Sequence, residues 1–191
     1  MKNTLLPVKP YLSHSQYKLF KSSPDKYARK YFFGEESYTS GAMEFGKKLA
    51  LALEVGLPTG DPAIDHALLF LPAYPEREFE IRAEIGGVNL LAKLDGYDPK
   101  GIIGEYKTGV TKWTKQRIKT DTQITFYCLA HKLKYGKVPK FELHWYNQST
   151  GEIQTFKATR TKYQLQTFAD DLLKVWQDIN ILYEKIKNEN E

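Results

Sequence analysis

The pattern of apolar and polar positions divides the chain into three blocks. Residues 13–33, SHSQYKLFKSSPDKYARKYFF, open the first. Ser13 suits an N-cap, Leu19 and Phe20 give an apolar face, and Tyr27, Tyr31 and Phe32 recur at helical spacing. Pro24 disfavours helical backbone at Ser23, so the segment should break or restart there. Residues 40–55, SGAMEFGKKLALALEV, hold good helix formers and stop before Gly56 and Pro58. Residues 57–75 read as loop at both ends, with a helical turn expected around Ile64 to Leu71.

The second block alternates. Phe79 and Ile81 stand against Glu80 and Arg82 within Glu78–Ala83, Gly86-Gly87 turns the chain, and Val88–Leu94 forms the next strand. A turn over 96–101 contains Asp98-Pro99, and Ile102–Thr108 completes a three-stranded meander. Residues 121–135, DTQITFYCLAHKLKY, return to a helical pattern that ends at Gly136 and Pro139. Phe141–Asn147 and Glu152–Ala158 flank Gln148-Ser149-Thr150-Gly151 as a hairpin.

The third block is one amphipathic helix from Thr161 to about Lys187. Leu165, Phe168, Leu172, Trp176, Ile179 and Tyr183 share a stripe, and the tail NENE is expected to fray. This order predicts an α/β fold, a central mixed sheet of about five strands flanked by helices. No repeat, low-complexity segment or linker interrupts it. A single domain over 1–191 is expected, with N-terminal helices in 12–56, the sheet and its helix in 78–158, and a C-terminal helix in 161–187.

Composition narrows the classes. An apolar fraction of 41% and a charged fraction of 27% are ordinary for a globular chain, and 191 residues suffice for a core without staples. The lone Cys128 excludes a disulfide framework within the chain and any multi-cysteine metal site, and it fits a reducing, cytoplasmic setting. No apolar run approaches the ~20 residues that span a membrane. The start, MKNTLLPVKPYLS, is short in its apolar part and broken by two prolines, unlike a signal peptide. His14, His66, His131 and His144 have no zinc-like spacing with Cys128. Neither a phosphate-cradling Gly-rich loop nor a nucleophile elbow is present. The net charge of +5 leans toward a polyanionic partner, although many basic proteins bind nothing anionic.

The candidate chemistry lies in residues 90–109, LLAKLDGYDPKGIIGEYKTG. Glu105 and Lys107 point to one side of their strand and Tyr106 to the other. If the two strands pair as a hairpin, Asp95 and Glu105 converge. Close carboxylates raise each other's pKa unless a cation neutralises them, and oxygen-only ligands suit Mg²⁺ or Mn²⁺. The Tyr106 backbone carbonyl offers a third oxygen. Lys107 beside such a site could orient a water and offset charge on a phosphate, which suits phosphodiester hydrolysis. On these residues alone a plainer reading stays open: Asp-Gly as turn residues and Glu105–Lys107 as a weak surface ion pair.

The wider set of residues resembles the RecB-like exonuclease branch of the PD-(D/E)XK nucleases. That branch carries an aspartate, then E/D-x-K on the next strand, then Q-x-x-x-Y on the following helix. Here these are Asp95, Glu105-Tyr106-Lys107 and Gln123-Ile124-Thr125-Phe126-Tyr127. The segments LSHSQYKLFKSSPDKYARKYFFG and AMEFGKKLALALE are similar to its first two helices, so the resemblance runs from about residue 12 to 135, or to 147 with the next strand counted. It implies a restriction-endonuclease-like core, Mg²⁺ or Mn²⁺ as cofactor, and DNA as partner, single-stranded or with free ends. It implies Asp95 and Glu105 as metal ligands, Lys107 as the catalytic lysine, and Gln123 and Tyr127 lining the site. The implied activity is that of a DNA exonuclease. The alternatives are a nucleic-acid-binding module with weakened catalysis and a non-enzymatic interaction protein.

The chain departs from that pattern in two places. Many members carry G-x-x-x-H on the second helix, where the histidine is a ligand, but here Gly46 is followed by Ala50. Glu54 is a further candidate for that missing ligand, with Glu44 less well placed. Ala92-Lys93 stands where a glycine is frequent before the aspartate. Asp98 is the fallback for Asp95. Finally, Lys112, Lys115, Arg117 and Lys119 surround Trp113 directly after Lys107, a composition that suits a single nucleic-acid strand or, alternatively, a solvated loop.

Overall fold

Ser23 ends one helix and starts the next. Its backbone is extended at φ −165°, and its hydroxyl accepts from the Lys26 N–H, so α1 (His14–Ser22) stops and α2 (Pro24–Tyr31) begins with proline at its first position. The computed structural model describes residues 5–36 and 41–190. Ser40, the first residue of the expected second helix, lies outside them. After β1 (Leu12–Ser13) and these two helices come α3 (Gly41–Val55) and α4 (Pro62–Phe70), the latter capped by Asp61. The meander follows as β2 (Glu76–Ile85), β3 (Val88–Asp98) and β4 (Ile102–Thr108). Then come α5 (Lys115–Thr120), α6 (Thr122–Tyr135), β5 (Lys140–Tyr146), β6 (Ile153–Ala158) and α7 (Lys162–Asn190).

The sheet is mixed. β2, β3 and β4 pair antiparallel in sequence, β4 runs parallel to β5, and β6 returns antiparallel as an edge. The two-residue β1 runs parallel to β3, a pairing too short to leave a period-two signal. β3 extends past the expected boundary to Asp98, so the hairpin turn is Asp98–Gly101, closed by the Gly101 N–H on the Asp98 carbonyl at 2.8 Å. Two glycines permit this: Gly96 and Gly104 face each other across the ladder under the ring of Tyr74, where a side chain at either would overlap the ring.

Two apolar layers cover the sheet. On one face α1, α2, α6 and α7 bury Phe20, Tyr27, Phe126, Leu165, Leu172 and Ile179 against Leu90, Leu94, Ile103 and Trp145. On the other, Leu49, Leu53, Ile64 and Leu71 of the α3–α4 unit pack on Tyr146, with Tyr106 alongside. Alternate residues of β4 thus serve opposite layers. Of the α7 stripe, Leu165, Phe168, Leu172 and Ile179 are buried, while Trp176 and Tyr183 pack at its margin.

One edge of β3 is the feature that matters for the site. β2 pairs with its other side over Val88–Tyr97 except at Asp95, but this edge meets β1 only at Leu90–Leu91 and β4 only from Gly96 onward. Between those contacts the strands stand apart, and Asp95 lies at the far end of the gap.

Candidate active site

Asp95 bridges the gap with its side chain. Its Oδ2 accepts the backbone N–H of Tyr106 at 2.9 Å, a bond that a ladder partner would otherwise make. Burial raises its pKa, the Tyr106 N–H and the charge of Lys107 pull it back, and the net shift is upward.

Glu105 is the most deeply buried acid here, at 3% exposure. Its Oε1 accepts from Lys107 Nζ at 2.5 Å and from Gln123 Nε2 at 2.8 Å. Gln123 Nε2 also donates to the Tyr127 hydroxyl at 3.0 Å, the i, i+4 contact of one helical face. Asp121, whose carboxylate accepts the Gln123 and Ile124 N–H groups, caps α6 and so fixes where Gln123 starts its turn. Burial, opposed by Lys107 and reinforced by Asp95, pushes the Glu105 carboxyl up to about 7. Burial alone would lower Lys107, but the charge and hydrogen bond of Glu105 outweigh it and leave the ammonium raised. Lys107 is therefore a cation throughout the neutral range. Burial, then the field of Glu105, holds the Tyr127 phenol well above its ordinary value, so it stays neutral.

The second oxygen of Glu105, Oε2, is buried and accepts no hydrogen bond. A buried carboxylate oxygen without a donor is costly, and a cation is the partner that fits it. The donor set is hard oxygen: Glu105, the adjacent Asp95, and the Tyr106 carbonyl on the same stretch of β4. No group of three or more His, Cys, Asp or Glu with metal-binding geometry occurs among the described residues. An ion here would keep several waters, as Mg²⁺ does.

Glu78 is an acid that pattern reasoning did not bring to the site. It stands opposite Asp95, between the pairs Arg77–Gly96 and Phe79–Leu94. Its φ of 48° is the one positive value at a non-glycine among the described residues. Such backbone costs energy and gathers at functional sites. Its charge pushes Asp95 and Tyr127 further up, and its carboxylate is held by Lys93 at 2.5 Å. The signal available in sequence was only a strand glutamate. Glu54 is exposed, and its charge bears on Lys93 rather than on Asp95 or Glu105. Glu44 pairs with Lys48 at 3.6 Å on the exposed side of α3. Asp98 accepts the Lys100 N–H at 2.8 Å, an ordinary turn role. Gly46 does pass close to the site, since a Cβ there would lie 3.4 Å from Thr108 Oγ1, and Ala50 follows one turn later.

Beside Lys107 opens a groove of about 490 Å³, walled by His14, Lys18, Trp113, Arg117, Thr122 and Gln123. Trp113 is 7% exposed, and the Arg117 guanidinium covers its ring at 3.7 Å from the centroid. The indole is therefore a buried support for Arg117, not an open stacking platform. Lys112 pairs with Glu152 at 2.7 Å, away from the groove lining. Lys115 and Lys119 sit on the opposite face of α5. Burial lowers His14 to about 4, so this groove residue is neutral, and its Nε2 lies 3.0 Å from Thr122 Oγ1.

Solved structures share this arrangement of elements. A structure from Eubacterium rectale named "Putative exonuclease" superposes with a TM-score of 0.64 at 18% identity, over 95% of this chain and 83% of that one. The fold is one that exonucleases share. LHK-Exo in complex with dAMP gives 0.60 at 12% identity, over 94% and 93%. The alkaline exonuclease LHK-Exo from Laribacter hongkongensis gives 0.54 at 12%, over the same shares of 94% and 93%. No family model and no curated protein matches the chain. At these identities the likeness to the exonucleases is one of fold, and the chemistry rests on the side chains. No helix among the described residues is long and apolar enough to cross a membrane.

Proposed function

We propose that the protein is a Mg²⁺- or Mn²⁺-dependent nuclease that hydrolyses phosphodiester bonds in DNA, acting as an exonuclease or on single-stranded ends. The observation that carries this is Glu105: buried, with Lys107 and Gln123 on one oxygen and the other left without a donor beside Asp95. Asp95, Glu105 and the Tyr106 carbonyl would hold the cation. Bound there, it would activate water and neutralise charge on the phosphate.

The chain's own residues divide the remaining work. Lys107, a permanent cation, stabilises charge on a phosphate oxygen and is not suited to accept a proton. Gln123 fixes the Glu105 carboxylate, and Tyr127 fixes Gln123 as a neutral hydroxyl. Arg117 and Lys18 supply positive charge to the groove that continues from Lys107. The name of the alkaline exonuclease neighbour supports the same reading at the level of fold.

The test is cleavage of end-labelled single- and double-stranded DNA with Mg²⁺, with Mn²⁺ and with chelator. Metal-dependent products from wild type that vanish in Glu105→Ala and Lys107→Ala are expected. Ala50, where the resembled family has a ligand, favours a second reading, a binding module of the same fold. DNA binding by wild type without cleavage under either metal would establish that reading instead.

A further inference from the structure

A second groove, of about 530 Å³, runs along the other face of α5. The helix is six residues long and works as a partition. Trp113, Arg117 and Asp121, spaced four apart, face the groove beside Lys107. Lys115, Ile118 and Lys119, spaced three and four apart, face the second groove. Its opposite wall is the edge strand β6, with Thr155, Phe156, Lys157, Ala158 and Thr159.

This second groove is built rather than loose. Arg160, at 5% exposure, donates from Nε to Thr125 Oγ1 at 2.8 Å, from Nη2 to the Ile118 and Asp121 carbonyls at 2.8 and 3.0 Å, and from Nη1 to the Thr159 carbonyl at 3.0 Å. One guanidinium thus ties α5, the start of α6 and the end of β6 together. Its partners are neutral, and its positive charge remains in the groove wall. No carboxylate lines the groove. Lys115 and Lys119 are exposed with no ion-pair partner among the described residues, whereas Lys157 turns to the opposite face of β6, 3.6 Å from Glu142. The floor between these cations is apolar, from Ile118, Phe156 and Ala158.

We propose that this groove binds a single strand of nucleic acid, the part of the substrate leading away from the reacting phosphate. The proposal rests on the nuclease reading. Cations along the rim match a phosphate backbone, and an apolar floor with one aromatic ring accepts unpaired bases without reading their sequence. The strand would cross α5 between the two grooves, held by Arg117 on one side and by Lys115 and Lys119 on the other.

The experiment is equilibrium binding of a fluorescein-labelled 24-nucleotide single strand in chelator, titrated across salt. It compares wild type with the double variant Lys115→Ala/Lys119→Ala. An equal-charge control, Lys174→Ala/Lys187→Ala, alters exposed positions of α7. The slope of log affinity against log salt should fall in magnitude by about 1.4 in the groove variant, at ~0.7 per phosphate contact, and stay at the wild-type value in the control. An unchanged slope in the groove variant, or an equal fall in both, would overturn the groove. Absence of binding by wild type would instead overturn the nuclease reading, and the groove with it.

Discussion

Tyr74 lies flat over Gly104, with its hydroxyl 2.7 Å from His144 Nε2 and donating to Glu142 at 3.0 Å. The ring occupies the space that a side chain at 104 would need, one residue before Glu105. Gly104→Ala should therefore cost about 1 to 3 kcal/mol in denaturant unfolding, the usual range for overpacking. Tyr74→Ala/Gly104→Ala should lose less than the sum of the single changes, because the clash disappears with the ring. Additive losses would show that the glycine is needed for backbone conformation and not for space.

Glu105 makes stability depend on pH in an unusual direction for an acid. Its native pKa of about 7 lies above the ordinary value near 4.3, so the native state holds the proton more tightly. The stabilisation is fully present below about pH 4.3 and is lost as pH rises through 7. Without metal, Glu105→Gln should match wild type near pH 4 and exceed it at pH 8 by on the order of 3 to 4 kcal/mol. Thermal melts across pH in chelator read this directly. Added Mn²⁺ should restore wild type at pH 8 and leave Glu105→Gln unchanged.

Gln123 holds Glu105 in its charged form by donating to Oε1. Gln123→Ala removes that donor, so the carboxyl should rise further. Loss of such a supporting hydrogen bond typically costs 10- to 100-fold in activity or metal affinity. The acidic limb of the pH–rate profile should also move to higher pH. A uniform fall in rate with the limb in place would mean that Gln123 acts on the substrate instead.

Arg160 is a structural tie whose loss takes a donor from carbonyls of three segments. Arg160→Met should destabilise by about 2 to 4 kcal/mol, measured by urea unfolding. The hydrogen exchange of α5 should accelerate more than that of α7, which the guanidinium does not touch.

Much of this architecture is legible in the sequence because periodicity reports which side of an element is dry. β4 is bounded as its alternation predicts, and the break at Ser23-Pro24 follows from local sterics. Asp95, Glu105, Lys107, Gln123 and Tyr127 come together because the hairpin at Asp98–Gly101 sets one register and the Asp121 cap sets the phase of α6. Residues whose part depends on tertiary register left no trace. Glu78 reaches Asp95 through the β2–β3 pairing and a left-handed φ that a strand glutamate does not announce. Arg160 works by binding carbonyls of segments distant in sequence. Trp113 looked like an open aromatic among cations, yet its burial under Arg117 is decided by the fold of a six-residue helix too short for periodicity to register.

Tyr106 divides its duties between two sides of the sheet. Its N–H anchors Asp95, while its ring turns to the α3–α4 layer, where the hydroxyl bonds the Pro72 carbonyl at 2.5 Å. The proposed chemistry asks this position only for backbone groups, the N–H for Asp95 and the carbonyl for the cation, so its side chain is free to follow the packing of the far layer. Proline alone among the amino acids lacks that donor. The middle letter of the Glu-Tyr-Lys run is thus silent as a word and indispensable as a syllable.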